Sequence, residues 1–132
     1  MPTINWLAVI VATVASFAVG AIWYSPLLFS KAWQREARIS DEQVGTSSMP
    51  LIFGGALVLT FLATLVFALF LGPQPGLRFG ASAGFAAGLF WVAASFGVNY
   101  LFERRSLALW LINGGYNVAM FTVMGAILGV MP

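Results

Sequence analysis

Residues 76–101 read GLRFGASAGFAAGLFWVAASFGVNYL. Arg78 is the one charged residue in this stretch, and it stands at the start. At ~1.5 Å rise per residue, an uncharged run of about twenty residues reaches ~30 Å, the thickness of a bilayer's hydrocarbon core. Residues from about Phe79 to Leu101 therefore read as a membrane-spanning helix. Small residues recur at every fourth position, as Gly76, Gly80, Gly84 and Gly88, with Ala83 and Ala87 beside them. Glycine costs helix propensity. A row of it makes a flat stripe on which another helix backbone can approach closely.

Three more stretches have the same character. Residues from about 4 to 23 carry no charge. Thr3 is the expected N-cap, and Tyr24-Ser25-Pro26 the expected stop, because proline disfavours helix in the residue before it. A signal peptide is excluded by the length of the run and by the lack of Lys or Arg before it. The second span covers about 50–71, with Ser48 as cap and Pro50 in the first turn. Gly72-Pro73-Gln74-Pro75-Gly76 ends it. The last span covers about 107–131, with Ser106 as cap. Short connections predict two antiparallel hairpins, one of spans two and three and one of spans three and four. The expected fold is all-α: one domain, residues 1–132, forming an integral membrane four-helix bundle.

Composition agrees. Of 132 residues, 61% are hydrophobic and 8% charged, against about 25% charged in a soluble domain. The mean hydropathy is +0.94. This excludes a large soluble domain, a nucleic-acid binder and a disordered tail. The chain has no Cys and no His, so disulfides, zinc–thiolate sites and imidazole ligands are excluded. The acids are Glu36, Asp41, Glu42 and Glu103 alone. No metal site, cofactor or catalytic residue is expected.

The longest connection lies between spans one and two. Over about 27–38, Leu28, Phe29, Ala32 and Trp33 fall on one helical side, and Lys31, Arg35 and Arg38 on the other. That pattern predicts a short amphipathic helix lying in the membrane interface. Ser40 to Ser48 is polar and expected to be a flexible loop. With four spans, loops one and three share a side and hold Lys31, Arg35, Arg38, Arg104 and Arg105, against Arg78 alone on the other. The positive-inside rule then places loops one and three in the cytoplasm and both termini outside. The same five side chains are candidates for contact with anionic lipid head groups.

Small residues also form stripes elsewhere: Ala8, Ala12, Ser16 and Gly20; Ala56, Thr60, Thr64, Ala68 and Gly72; and Gly125 with Gly129. These serve packing within one bundle or between subunits. A second constellation is Asn113, Tyr116 and Asn117, on one face of the last span. A buried carboxamide in hydrocarbon must be paired. Thr13, Ser16, Thr60 and Thr64 are candidate partners at similar depth. The alternative is a polar lining for a solute path, extended by Asn99 and Tyr100. Trp6, Trp23, Tyr24, Trp33, Tyr100 and Trp110 fall where an aromatic belt is expected. Trp91 sits mid-span, as a bundle or subunit contact.

Two stretches resemble a known family: Gly20-Ala-Ile-Trp-Tyr-Ser-Pro-Leu-Leu-Phe-Ser-Lys-Ala-Trp33, and Asn99-Tyr-Leu-Phe-Glu-Arg-Arg-Ser106 followed by Leu111-Ile-Asn-Gly-Gly-Tyr116, with Met124-Gly-Ala-Ile-Leu128 closing. They resemble the uncharacterised bacterial membrane proteins called domain of unknown function 1761. The resemblance covers nearly the whole chain and implies four spans and a bacterial origin, and the membrane expected is then the inner one. It implies no activity. In the family's pattern a His often follows the tyrosine of the last span; here that position is Asn117. Other small four-span families fit less well. A small proton-coupled multidrug exporter needs a glutamate in its first span, and residues 4–23 have none. Membrane glutathione transferases would show Arg and Glu within the helices, and fluoride-channel-like dimers lack so strong a charge bias.

Three function classes follow. The first is a helix-packing subunit of a homo-oligomer, or an accessory subunit of a larger membrane complex. The second is a small channel or transporter for an uncharged or weakly hydrated solute, lined by Asn113, Tyr116 and Asn117. An enzyme comes last, since no acid, base or metal cluster converges. The expected partners are the bilayer and other membrane subunits.

Overall fold

The computed structural model describes residues 4–131. Four helices are long and apolar enough to cross a membrane: Trp6–Trp23, Met49–Leu71, Leu77–Glu103 and Leu107–Val130. The chain is an all-helical, multi-pass membrane protein. In chain order we label α1 (Trp6–Trp23), α2 (Ser30–Ala37), α3 (Asp41–Gly45), α4 (Met49–Leu71), α5 (Leu77–Ala86), a π-helical segment (Ala87–Ala93), α6 (Ala94–Glu103) and α7 (Leu107–Val130).

The helix ends follow local chemistry. Thr3, the expected cap, lies outside the described residues. Asn5 caps α1 instead, its Oδ1 accepting from the Ala8 N–H at 3.0 Å. Ser106 Oγ accepts from the Leu109 N–H at 3.1 Å and so caps α7. The stretch Ser40 to Ser48, expected as a flexible loop, contains the short helix α3. It starts with a capping box, in which Ser40 and Gln43 each bond the other's backbone N–H. Arg38 and Arg104 close α2 and α6 in the left-handed conformation.

The last span is the centre of the packing. α7 runs beside α1 on one side and beside α5 and the π segment on another, while α4 leans on α1 and touches α7 only lightly. Ala8, Val9 and Ala12 of α1 bury against Met120, Met124 and Leu128 of α7. The hairpin expected of spans two and three is therefore corrected: α4 and α5 do not pack along one another. The reason is surface shape. Gly80, Gly84 and Gly88 meet the backbone of α7, whereas Gly54 and Gly55 of α4 have nothing within 4 Å of where a Cβ would stand. Gly72, Gln74 and Gly76, with φ of 75°, 49° and 85°, bend the connection so that the Gly76 carbonyl lies over Gly129 of α7.

The third span departs from a uniform α-helix over seven residues, Ala87–Ala93. There the turns widen, and the Ala94 N–H reaches back five residues to the Leu89 carbonyl.

Candidate functional site

The site is built where α1 turns. Tyr24 caps α1, its N–H bonding the Gly20 carbonyl at 3.0 Å, and the Ser25 N–H bonds the Ile22 carbonyl at 3.1 Å. Ser25 Oγ donates to the Ile22 carbonyl at 2.7 Å, and the Phe29 N–H returns to the Trp23 carbonyl at 3.0 Å. The turn brings the Phe29 ring to 5.1 Å from that of Trp23, and Trp33 to 5.9 Å from Tyr24. Both α1 aromatics are thereby aimed at α7.

There they meet Asn113. Tyr24 Oη donates to Asn113 Oδ1 at 2.6 Å, and Asn113 Nδ2 donates to Tyr100 Oη at 2.8 Å. One carboxamide on the last span thus ties the end of the first span to the end of the third. Beside it, Trp23 Nε1 donates to the Ile112 carbonyl at 2.9 Å. Glycines make the room. A Cβ on Gly115 would stand 3.0 Å from the Trp23 ring, and one on Gly20 3.1 Å from Tyr116. The Tyr24 and Tyr116 rings meet edge-on at 5.3 Å.

The other predicted polar residues turn inward too. Asn117 Nδ2 donates to the Asn113 carbonyl at 2.8 Å, and Tyr116 Oη to Met120 Sδ at 3.1 Å. The hydroxyls expected to pair with Asn117 bond their own helices instead: Thr13 to Val9, Ser16 to Ala12 and Thr64 to Thr60, each at 2.7 Å. A hydroxyl within reach of its own i−4 carbonyl pays less entropy for that bond than for a bond across helices.

The small-residue stripe of the third span is occupied within the chain. Gly80 lies backbone to backbone with Gly125, Gly84 with Phe121, and Gly88 with Asn117 and Val118, while Gly129 meets Gly76. Trp110 bridges the same two spans further along, its Nε1 donating to the Ala93 carbonyl at 2.8 Å in the space left by Gly97 and Gly114.

The five basic side chains gather at one end of the molecule. Lys31, Arg35 and Arg38 are exposed on or beside α2, and Arg104 and Arg105 sit in the turn between α6 and α7. Arg105 Nη1 reaches the Ala37 carbonyl at 3.5 Å. The Ser106 hydroxyl and then Arg35, whose Nε lies 3.3 Å from Glu36 Oε2, hold the Glu36 carboxyl below its ordinary range. Arg78 lies at the opposite end of the third span.

Reading the sequence assigned Trp23, Tyr24 and Trp110 to an aromatic belt. Their use as cross-span donors was missed. The available signal was the pairing of each large ring with glycines on another span.

The geometry defines a four-span membrane protein whose first, third and fourth spans are joined by one carboxamide and its two tyrosines. The sequence profile described as "Protein of unknown function (DUF1761)" matches residues 7–129, and the chain belongs to that family. Neither the curated proteins nor the solved structures give a match. Both stretches that carried the resemblance, 20–33 and 99–116, meet at Asn113.

Proposed function

We propose that this protein is a helix-packing membrane subunit that assembles with itself or with other membrane chains. The observation that carries this reading is the engagement of Asn113. Its carboxamide is taken up by Tyr24 and Tyr100, and Asn117 and Tyr116 bond within α7. Side chains held this way rigidify a bundle. A channel or transporter lined by Asn113, Tyr116 and Asn117 is less favoured, because solute would have to displace bonds already made. A groove of about 370 Å³ between α1 and α4 is lined by Ile10, Thr13, Val14, Leu57, Val58 and Phe61 and offers a solute almost no polar surface.

In this reading the chain sits in a bacterial inner membrane, with loops one and three in the cytoplasm and both termini outside. The half-buried side of α2 rests on the protein, and Lys31, Arg35, Arg38, Arg104 and Arg105 lie at the level of the lipid head groups. The role requires no cofactor. Native mass spectrometry of the protein extracted in native nanodiscs tests it. The expected species are multiples of the 14.1 kDa chain, or the chain with a second polypeptide. A single chain alone overturns the proposal.

A further inference from the structure

The face of the third span that meets α7 is not evenly spaced. Gly80, Gly84 and Gly88 lie against the α7 backbone, each four residues from the last. The contacts then pass to Ala93, whose Cβ lies 3.3 Å from where one on Gly114 would stand, to Gly97 beside the Trp110 indole, and to Tyr100 at Asn113. From Gly88 to Ala93 the step is five residues. In an α-helix, at ~100° per residue, positions five apart point ~140° away from each other. Here both are buried against the same partner. The π segment, Ala87–Ala93, makes this possible, because its wider turn takes up the extra residue.

A continuous α-helix, counting on by fours and then three, would pass from Gly88 to Val92, Phe96 and Asn99 instead. These side chains fit badly where they would arrive. At Gly97 even a Cβ would stand 2.9 Å from Trp110 Nε1, so a phenylalanine there has no room. Asn99 is shorter than the tyrosine whose phenol reaches Asn113. Trp110 also fastens the end of the π segment, its Nε1 donating to the Ala93 carbonyl at 2.8 Å.

We infer that the π segment is a one-residue insertion that sets the register of the third span, and that Trp110 is the positioning residue that keeps it open. The insertion turns α6 by ~100° relative to α5. Ala93, Gly97 and Tyr100 then face α7 in place of Val92, Phe96 and Asn99. The glycine-packed half, α5, keeps its place whichever way the turn lies, while α6 leaves the Asn113 junction if the turn closes. These contacts lie within one chain and are independent of assembly.

The chain has no cysteine, so introduced thiols are unambiguous. A disulfide spans ~3.5–4.5 Å between Cβ atoms. Ala93→Cys with Gly114→Cys therefore reports the open turn, and Val92→Cys with Gly114→Cys the closed one. Each pair is oxidised in native membranes and read as loss of both thiols to a maleimide on a denaturing gel. The Ala93/Gly114 pair should link and the Val92/Gly114 pair stay at background. Phe90 is 67% exposed, so deleting it removes the extra residue at little cost in contacts, and the Ala93/Gly114 pair should link as before. Deleting Val98, which is 54% exposed but outside the π segment, should lower thermal stability in nanodiscs well below that of the Phe90 deletion. Trp110→Phe should lower Ala93/Gly114 linking several-fold and raise Val92/Gly114 linking, and deleting Phe90 in that background should restore the first pair. Loss of Ala93/Gly114 linking on deleting Phe90, or equal instability of the two deletions, overturns the insertion. Unchanged linking in Trp110→Phe overturns the role of Trp110.

Discussion

Tyr24 and Asn113 stand 89 residues apart in sequence and 2.6 Å apart at their side-chain oxygens. Through Asn113 Nδ2 the same link continues to Tyr100, so three spans share one small polar group. Bonds of this kind within membranes average ~0.6 kcal/mol and reach ~1.7. Asn113→Leu removes two of them and should destabilise the fold by about 1–3 kcal/mol. Tyr24→Phe should cost about half as much. Adding it to Asn113→Leu should cost little more than Asn113→Leu alone, by unfolding in SDS titrations followed by tryptophan fluorescence. Additive costs would show that the two side chains act independently.

The glycines of the third span differ from those of the second in what surrounds them. A side chain at Gly84 would run into the backbone of Phe121, whereas one at Gly54 would enter open space. Gly84→Leu should therefore separate α5 from α7 and cost more than the ~1–3 kcal/mol typical of an overpacked core. Gly54→Leu should stay within ~0.5 kcal/mol of the parent. Thermal unfolding in nanodiscs measures both. Equal effects would mean that α5 and α7 do not meet along this stripe.

α2 lies against α7, and Ser106 at the start of α7, followed by Arg35, holds the Glu36 carboxyl below its ordinary range. A depressed folded-state pKa contributes stability above the unfolded value, and that contribution is lost as pH falls through the folded one. Amide exchange in α2, corrected for intrinsic rates, should quicken as pH drops below the ordinary carboxylate range. Glu36→Gln should exchange quickly at every pH. A protected α2 in Glu36→Gln would show that the carboxylate does not hold it.

Orientation is testable with the same freedom from native thiols. Arg78→Cys should react with an impermeant maleimide added to intact spheroplasts, and Glu103→Cys only after permeabilisation. The reverse pattern would place loops one and three outside and break the positive-inside assignment.

The four spans were legible because each is a long apolar run bounded by Pro, Gly or a capping serine, and those signals are local. Partner choice was not. Nothing near Gly72–Gly76 says that α5 avoids α4, because the decision lies in the match between Gly80–Gly88 and Gly125–Gly129, which are far apart in sequence. The π segment was hidden for a similar reason. Residues 87–93 are ordinary helix formers, and the widened turn shows only where the Ala93 carbonyl meets Trp110. At the site, Asn113, Tyr116 and Asn117 stood out as polar residues in an apolar run. Tyr24 did not, because at a span end a tyrosine looks at home in lipid, and Tyr100 stood out only as an extension of a solute path. The S-x-x-Q box at Ser40 was readable and was passed over in favour of the polar composition around it.

That α7 touches every other span has a bearing on how the protein is made. Of the four spans the ribosome delivers this one after the other three. Until it arrives, α1 has only α4 to lean on, and the glycine face of α5 has nothing to meet. Until then only α1 and α4 can pair, and Asn113's tyrosines stay unpaired. Most of the packing thus forms only after the other three spans have been made, and a message truncated before Leu107 would leave the glycine face of α5 without its native neighbour, a ready substrate for membrane quality-control proteases.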